Sequence, residues 1–546
     1  MRLHSNLLAF MLQGGEGELR RVLYLSLFSG FASTALVALV NKAAGDVSRG
    51  MPVTFEFFLF AAVLLLYFFI LRKSSEASIA SAQNLVHRFR MRIVDRVFRS
   101  DLERVDGIGR VDILQKLGRD AQMVSTAMPA ILSVGQAVAT LAGLTVYMAV
   151  ISMVVPFVIL AAVVAILAIA VPFVLRSKGV MDDAWAREGR LYEVIDDFLA
   201  GYQEVKMNSA RARDVQRDIL EQGLDVTRRK TAALTGLTQY FTQMQVMLYL
   251  VVGAMVFVVP ALSDRFEAVV VPVATATIFL VGTLTGLIGN IPNLIDANTS
   301  AGGMLALERR LDEAGGAAGA DASGRPGKAF GTGFRTIALR DVCFSHHAGS
   351  GAGGFAFGPV SCEFHAGRIY FIRGANGSGK TTLFRLLLGL YRPDAGHLEV
   401  DGEPLDQPAP SAYRDLFAAV FSDFHLFRRL YGVSDPGGER LAFYRSAFGI
   451  DGKLSVEAGR FADLSLSTGQ RKRVALLVAM LEARPIVVLD EWAADQDPEF
   501  RHEFYTRIVP GLRAEGKTVI AITHDDAYYG VADHLLTMRN GRLVEA

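Results

Sequence analysis

An all-α membrane domain of six transmembrane helices followed by an α/β P-loop nucleotide-binding domain is the fold class this sequence predicts, on three observations. Ala127 to Leu175 holds no charged side chain across 49 positions, about 70 Å of helix against a hydrocarbon core of about 30 Å. Hydrophobic residues make up 51% of the 546 residues, and they gather in uncharged runs. Far downstream, Gly374-Ala375-Asn376-Gly377-Ser378-Gly379-Lys380-Thr381 places Gly374 and Gly379, then Lys and Thr, at phosphate-loop spacing, between an apolar strand-like run and a helical one.

The first apolar stretch, Leu7–Met11, is too short to span and is expected to lie as an interfacial helix. Arg20 and Arg21 then precede Val22–Val40, which is long enough for an uncleaved first span rather than a signal peptide. The second span covers 51–71, with Glu56 near the headgroups. The uncharged run from Ala127 must fold back on itself near Met148–Met153, giving spans at 127–148 and 151–175. Spans at 237–262 and 268–288 complete six. Between them, 72–126 and 176–236 are long, charged and helix-patterned, so they project from the bilayer. Each is interrupted midway, at Asp106-Gly107-Ile108-Gly109 and at Leu199-Ala200-Gly201-Tyr202.

Arg20/Arg21, Arg72/Lys73, Arg176/Lys178 and Arg228/Arg229/Lys230 flank the spans on one side, against Lys42, Arg49 and Arg265 on the other. The excess of basic residues marks the cytoplasmic side, so both termini are expected there. The membrane domain is expected at 1–311, a Gly/Ala/Ser/Pro-rich linker at 312–333 and the nucleotide-binding domain at 334–546. His347–Gly354 reads as a hairpin tip. A formal charge of +1, from 56 basic and 55 acidic residues, gives no field that would suggest nucleic acid as a partner. Cys343 and Cys362 lack metal-ligand spacing and read as plain core thiols.

In the phosphate loop, glycines let backbone N–H groups curl around phosphate oxygens, and the helix that follows adds the positive end of its dipole. Lys380 is expected at the β/γ-phosphates, with Thr381 on Mg2+ and Thr382 beside it in the nucleotide site. Ile486–Leu489 is a buried strand that ends in Asp490 and Glu491, placed respectively to hold the metal and to act as base toward water. Leu466-Ser467-Thr468-Gly469-Gln470 opens a helix and forms a second anion site. His524 follows the strand Val519–Thr523, within reach of a γ-phosphate.

Phosphate loop, Leu-Ser-x-Gly-Gln signature, Asp-Glu strand and switch His stand in the order of ATP-binding cassette proteins. Behind six spans with long inner loops, essentially the whole chain resembles an ABC exporter half-transporter. The resemblance implies a homodimer with head-to-tail cassettes, each ATP lying between Lys380 of one chain and Ser467, Gly469 and Gln470 of the other. It also implies that Phe198–Lys206, with Gly201 and Glu204, forms a coupling helix. Asp106 in the other inner loop takes a similar part.

Four departures stand out. Ser422 occupies the position of a usual metal-binding Gln, so that Ser422 or the adjacent Asp423 is expected to substitute. His346 stands where an aromatic ring usually stacks on adenine. Ala493-Ala494-Asp495-Gln496-Asp497 replaces a usual Ser-Ala-Leu-Asp stretch, and Phe461–Ser465 lacks a common Gly-Glu pair. The wording of Phe421–Phe427 and Leu466–Arg473 resembles the bacterial cyclic-peptide and peptide-siderophore exporters.

For cargo, Gln239 and Gln243 share one helical face, and Asn290 and Asn293 lie near the end of the sixth span. They either line a cavity for an amide-rich, peptide-like compound or join helices. The residues ahead of Val22 contain no cysteine, so no cargo-cleaving peptidase is expected there. The spans carry no basic cluster that would suit a phosphosugar lipid. A multidrug or lipid flippase on the same fold is the alternative; a non-transporting, ATP-gated regulator is disfavoured by Glu491.

Overall fold

The computed structural model describes the chain apart from residues 1–5, 152–156, 158–163, 165–167, 169–178, 180–182, 184–186, 254–256, 258–269, 316–332, 346–355, 407–408, 434–437 and 546. Two compact units result: Met1–Ile93 with Ile113–Leu307, and Val94–Asp112 with Glu308–Ala546.

The first unit is helical. Among the described residues, four helices are long and apolar enough to cross a membrane: Gly17–Ser48, Thr54–Arg99, Arg110–Ile151 and Val271–Glu313. The span expected at 151–175 lies almost wholly outside the described residues. That at 237–262 is described as helix to Gly253, the end of Ser209–Gly253. Thr54–Arg99 has 46 residues, about 70 Å of helix, more than twice what the hydrocarbon requires. Its second half buries Ser74, Ser78, Ala82, Leu85, Phe89 and Ile93, a stripe at helical period that seats it on protein.

The short N-terminal helix, Asn6–Gly14, is packed against protein along one side. Phe10 is fully buried and meets Phe89 edge-on at 5.5 Å, and the Leu7 N–H donates to Asn298 Oδ1 at 3.1 Å. Only the face carrying Leu8 and Leu12 stays exposed.

Helices Glu16–Ser48 and Ala121–Ile151 meet along a seam of small residues. Thr34 Oγ1 donates to the Gly30 carbonyl at 3.1 Å, and Thr140 Oγ1 donates to the same carbonyl at 3.3 Å. A Cβ on Gly30 would stand 2.5 Å from both Ala139 Cβ and the Gln136 carbonyl oxygen, and one on Gly143 would stand 2.6 Å from Thr34 Oγ1. Close helix approach through small residues is how membrane helices gain packing without a hydrophobic driving force. Gly30→Ala is therefore expected to cost about 1–3 kcal/mol, because the backbone it strikes cannot turn aside. Gly143→Ala is expected to cost less, since the Thr34 side chain can rotate. Gly282→Ala, with open space around it, serves as the control. Thermal unfolding of the purified protein checks the order, and equal midpoints for all three would refute the seam.

In the second unit, the strands are β1 Thr336–Ser345, β2 Ala356–His365, β3 Ile369–Gly374, β4 Ala395–Val400, β5 Glu403–Pro404, β6 Phe417–Val420, β7 Val456–Glu457, β8 Arg460–Phe461, β9 Ile486–Asp490, β10 Thr518–Ile522, β11 His534–Arg539 and β12 Arg542–Glu545. The main sheet runs β12-β11-β3-β10-β9-β6, parallel except for its edge strand β12. A second sheet, β2-β1-β4-β5, is antiparallel.

Alternation along the parallel strands divides two cores. Tyr370, Ile372, Val488 and Ile520 join the antiparallel sheet and helix Lys380–Leu387, whereas Phe371, Val487, Leu489 and Ala521 join helix Thr468–Leu481. A parallel sheet covered on both faces needs such all-apolar strands, and β9 and β10 are buried at every position. β1 and β2 pair up to Ser345↔Ala356, which closes the hairpin expected around His347–Gly354. The tip itself lies outside the described residues.

Candidate functional site

The site stands at the carboxyl ends of β3 and β9. Beyond β3, Gly377 (φ 74°) and Gly379 (φ 101°) adopt the left-handed backbone that the phosphate loop requires. Helix Lys380–Leu387 begins directly after them. The Ser378 hydroxyl is buried with no protein hydrogen-bond partner, a donor left over for an anion's oxygen. Lys380, buried, donates to the carbonyls of Gly374 at 2.9 Å and Ala375 at 3.3 Å, which aims its ammonium across the loop.

The hydroxyls of Thr381 and Ser422 both donate to Asp490 Oδ2, each at 3.3 Å. Burial pushes the Asp490 carboxyl up and the neighbouring Glu491 adds to this, while the two hydroxyls oppose it. Two hydroxyls around one carboxylate form a hard-oxygen donor set of the kind that suits Mg2+. Of the two candidates at this position, both exposed, Ser422 donates to the Asp490 carboxylate.

Glu491 follows β9 in a left-handed conformation, φ 48° and ψ 35°, rare for a residue with a side chain. Its N–H donates to the Ile522 carbonyl at 3.1 Å. One carboxylate oxygen lies 3.2 Å from His524 Nε2 and 3.6 Å from Lys380 Nζ. The structure thus gathers Lys380, Glu491 and His524, which lie up to 144 residues apart (524 − 380) in sequence. The chemistry this permits is general-base attack of water on a phosphate held by the loop.

At the signature, Ser467 caps helix Thr468–Leu481. Its Oγ accepts from the Gln470 N–H at 3.4 Å, and Gln470 Oε1 accepts from the Ser467 N–H at 3.2 Å. The Gln470 side chain is therefore occupied in the cap. A Cβ on Gly469 would stand 2.8 Å from the Asp495 carbonyl oxygen, so this turn packs tightly on the loop after Glu491.

Asp106 lies on the short helix Leu102–Ile108, which ends at Gly109 (φ 88°). Its carboxylate accepts from the Tyr391 hydroxyl at 3.4 Å and pairs with Arg385 at 3.9 Å, while Leu102 packs into the core beneath. Sequence reasoning named Asp106 but missed Arg385 and Tyr391, because nothing local links them. Gly201 caps helix Tyr202–Met207, with Glu204 exposed on it. His346 lies outside the described residues. Of the cavity candidates, Asn290 donates to Ser133 Oγ at 3.2 Å and to the Gly286 carbonyl at 2.8 Å, so it joins helices. Gln239, Gln243 and Asn293 are exposed. Burial pushes the Cys362 thiol up to about 12, and the partly buried side chain packs against the apolar core.

Comparison with known proteins agrees with this geometry. The ABC transporter family matches residues 357–494, and the ABC transporter transmembrane region matches residues 21–287. The chain is 30% identical over 543 residues to the ATP-binding protein SyrD of Pseudomonas syringae pv. syringae, covering 96% of this chain and 93% of that protein. It is 26% identical over 498 residues to the ATP-dependent lipid A-core flippase of Xylella fastidiosa strain 9a5c, covering 85% and 80%. The fold matches a bacterial Atm1-family ABC exporter with ATP bound at a TM-score of 0.78 and 19% identity, over 97% of this chain and 95% of that one. With both halves matched in this order on one chain, the protein belongs to the ABC transporter family, as an exporter-type half-transporter whose ATPase is coupled to transport.

Proposed function

We propose that this chain works as a homodimer in the bacterial inner membrane, with termini and cassette in the cytoplasm, and exports a peptide-like compound by alternating access. Six spans from each copy would form the passage. Two cassettes, expected over 334–546, would enclose ATP between Lys380 of one copy and the Ser467–Gly469 turn of the other. The observation that carries the ATPase role is the convergence of Lys380 and His524 on the Glu491 carboxylate, at 3.6 and 3.2 Å.

Lys380 binds the β/γ-phosphates, exchanging its carbonyl partners for phosphate oxygens. Glu491 accepts the proton of the attacking water, and His524 holds that carboxylate and the γ-phosphate in register. Thr381, Asp490 and Ser422 would hold Mg2+, which supplies charge neutralisation for the phosphates. Closure would then pass to the membrane helices through the inner loops that carry Asp106 and Gly201/Glu204.

Peptide-like cargo is supported by the wording of Phe421–Phe427 and Leu466–Arg473, and by exposed amides at Gln239, Gln243 and Asn293. The alternative is lipid export, favoured by the similarity to lipid A-core flippases. ATPase activity in proteoliposomes separates them. Cyclic peptides are expected to stimulate turnover and to accumulate inside inside-out vesicles. Stimulation by lipid A alone, with no response to any peptide, would favour the flippase.

A further inference from the structure

We infer that Lys472 is a positioning residue for Glu491 and that Asp495 is its counter-ion, an inference that rests on Glu491 as base. Lys472 lies in the first turns of the signature helix and is 4% exposed. Its ammonium donates to the main-chain carbonyl of Glu491 at 2.9 Å and meets the Asp495 carboxylate at 2.8 Å. In return, the Trp492 indole N–H donates to the Lys472 carbonyl at 2.8 Å, with Trp492 itself buried. Two bonds therefore join one helical residue to two consecutive residues of the loop that carries the base.

That loop needs holding. Glu491 sits in a left-handed conformation, which is strained for a residue with a side chain. Relaxation to an ordinary conformation would turn the Cα–Cβ bond and carry the carboxylate away from His524 and Lys380. A buried ammonium fixed on the Glu491 carbonyl opposes this turn, because the carbonyl would swing off its donor and leave one hydrogen bond of a buried charged group unmade.

The loop is tied at a second level too. Gln496 donates to the Gly469 carbonyl at 3.2 Å and accepts from Arg473 Nε at 2.8 Å. Asp495 and Gln496 stand within the stretch where the resembled family has small and apolar residues. In this chain both bind the signature helix instead. The turn that faces one nucleotide and the base that serves another are thus parts of one bonded unit.

The experiment is steady-state ATPase of the full-length protein in proteoliposomes. Lys472→Met keeps the stem's volume and removes the donor. It is expected to lower kcat by about 10- to 100-fold with the KM for ATP within about twofold of the parent, a split that marks loss at the chemical step alone. Placed on Glu491→Gln, Lys472→Met is expected to add no further loss, whereas a purely structural role would add its full loss again. Asp495→Asn, at a half-exposed site, keeps the test open if the Met variant does not fold; a fall of about threefold in kcat at unchanged KM is expected. Parent kcat in Lys472→Met or, if that variant does not fold, in Asp495→Asn would overturn the inference, as would a parallel loss of ATP affinity. A parent-rate Glu491→Gln would instead remove the base reading, whereas an inactive Glu491→Gln beside a parent-rate Lys472→Met would remove only the positioning.

Discussion

Glu491→Gln is expected to lower ATP turnover by about 10³-fold, the middle of the range for a positioned general base, while ATP stays bound. That factor corresponds to about 4 kcal/mol at the transition state. The amide matches the carboxylate in size, so it fits beside His524 Nε2, 3.2 Å away, and Lys380 Nζ, 3.6 Å away. What it lacks is the ability to take a proton. The ground-state contacts of the phosphate loop, built from Gly377, Gly379 and the buried Lys380, are untouched, so nucleotide affinity should hold. Single-turnover hydrolysis and equilibrium ATP binding on the same preparation separate the two quantities. A variant that hydrolyses at the parent rate would end the role of Glu491 as base, and one that no longer binds ATP would show the carboxylate to be structural.

Sequence alone showed those parts of the site that a short run of residues encodes. The phosphate loop is legible because its chemistry is mostly backbone, and backbone conformation is written locally by glycines at fixed spacing. The Asp490–Glu491 pair is legible because β9 must be apolar on both faces, so two carboxylates at its end stand out. Long helices were legible from uncharged runs, since lipid admits few charges. What stayed hidden are contacts set by tertiary packing. Arg385 lies on the helix that follows the phosphate loop and Asp106 lies on a short helix hundreds of residues earlier, yet their charges pair. Phe10 lies in a short apolar stretch whose buried side could not be told from the sequence, and it packs against Phe89. Lys472 stands between Arg471 and Arg473 on the signature helix, with nothing in the sequence to set it apart, although its side chain is buried. Only Val474, Ala475 and Leu476 just after it, all buried, carried a trace of that enclosure. Asn290 could equally line a cavity or bind a neighbouring helix, and its 3.2 Å bond to Ser133 was not legible from the sequence.

Lys380→Ala should lose binding and hydrolysis together, which sets it apart from Glu491→Gln. The ammonium is 5% exposed and is held by two carbonyls and the Glu491 carboxylate. Removing it deletes the cation that meets the β/γ-phosphates and leaves Glu491 facing them without compensation. Charge-assisted hydrogen bonds to buried groups are worth about 1.5–3 kcal/mol each, so loss of even two predicts ATP affinity weaker by 10²-fold or more at about 1.4 kcal/mol per decade. Lys380→Arg keeps the charge, but its wide planar fork does not fit between the Gly374 and Ala375 carbonyls, so it should recover little. The apolar cores on either side of the sheet are left intact in both variants, so the fold is expected to survive. Titration with a fluorescent ATP analogue, read beside the thermal midpoint, checks this. An alanine variant that binds ATP at parent affinity would mean that the loop's backbone and the unpartnered Ser378 hydroxyl hold the phosphates without the lysine.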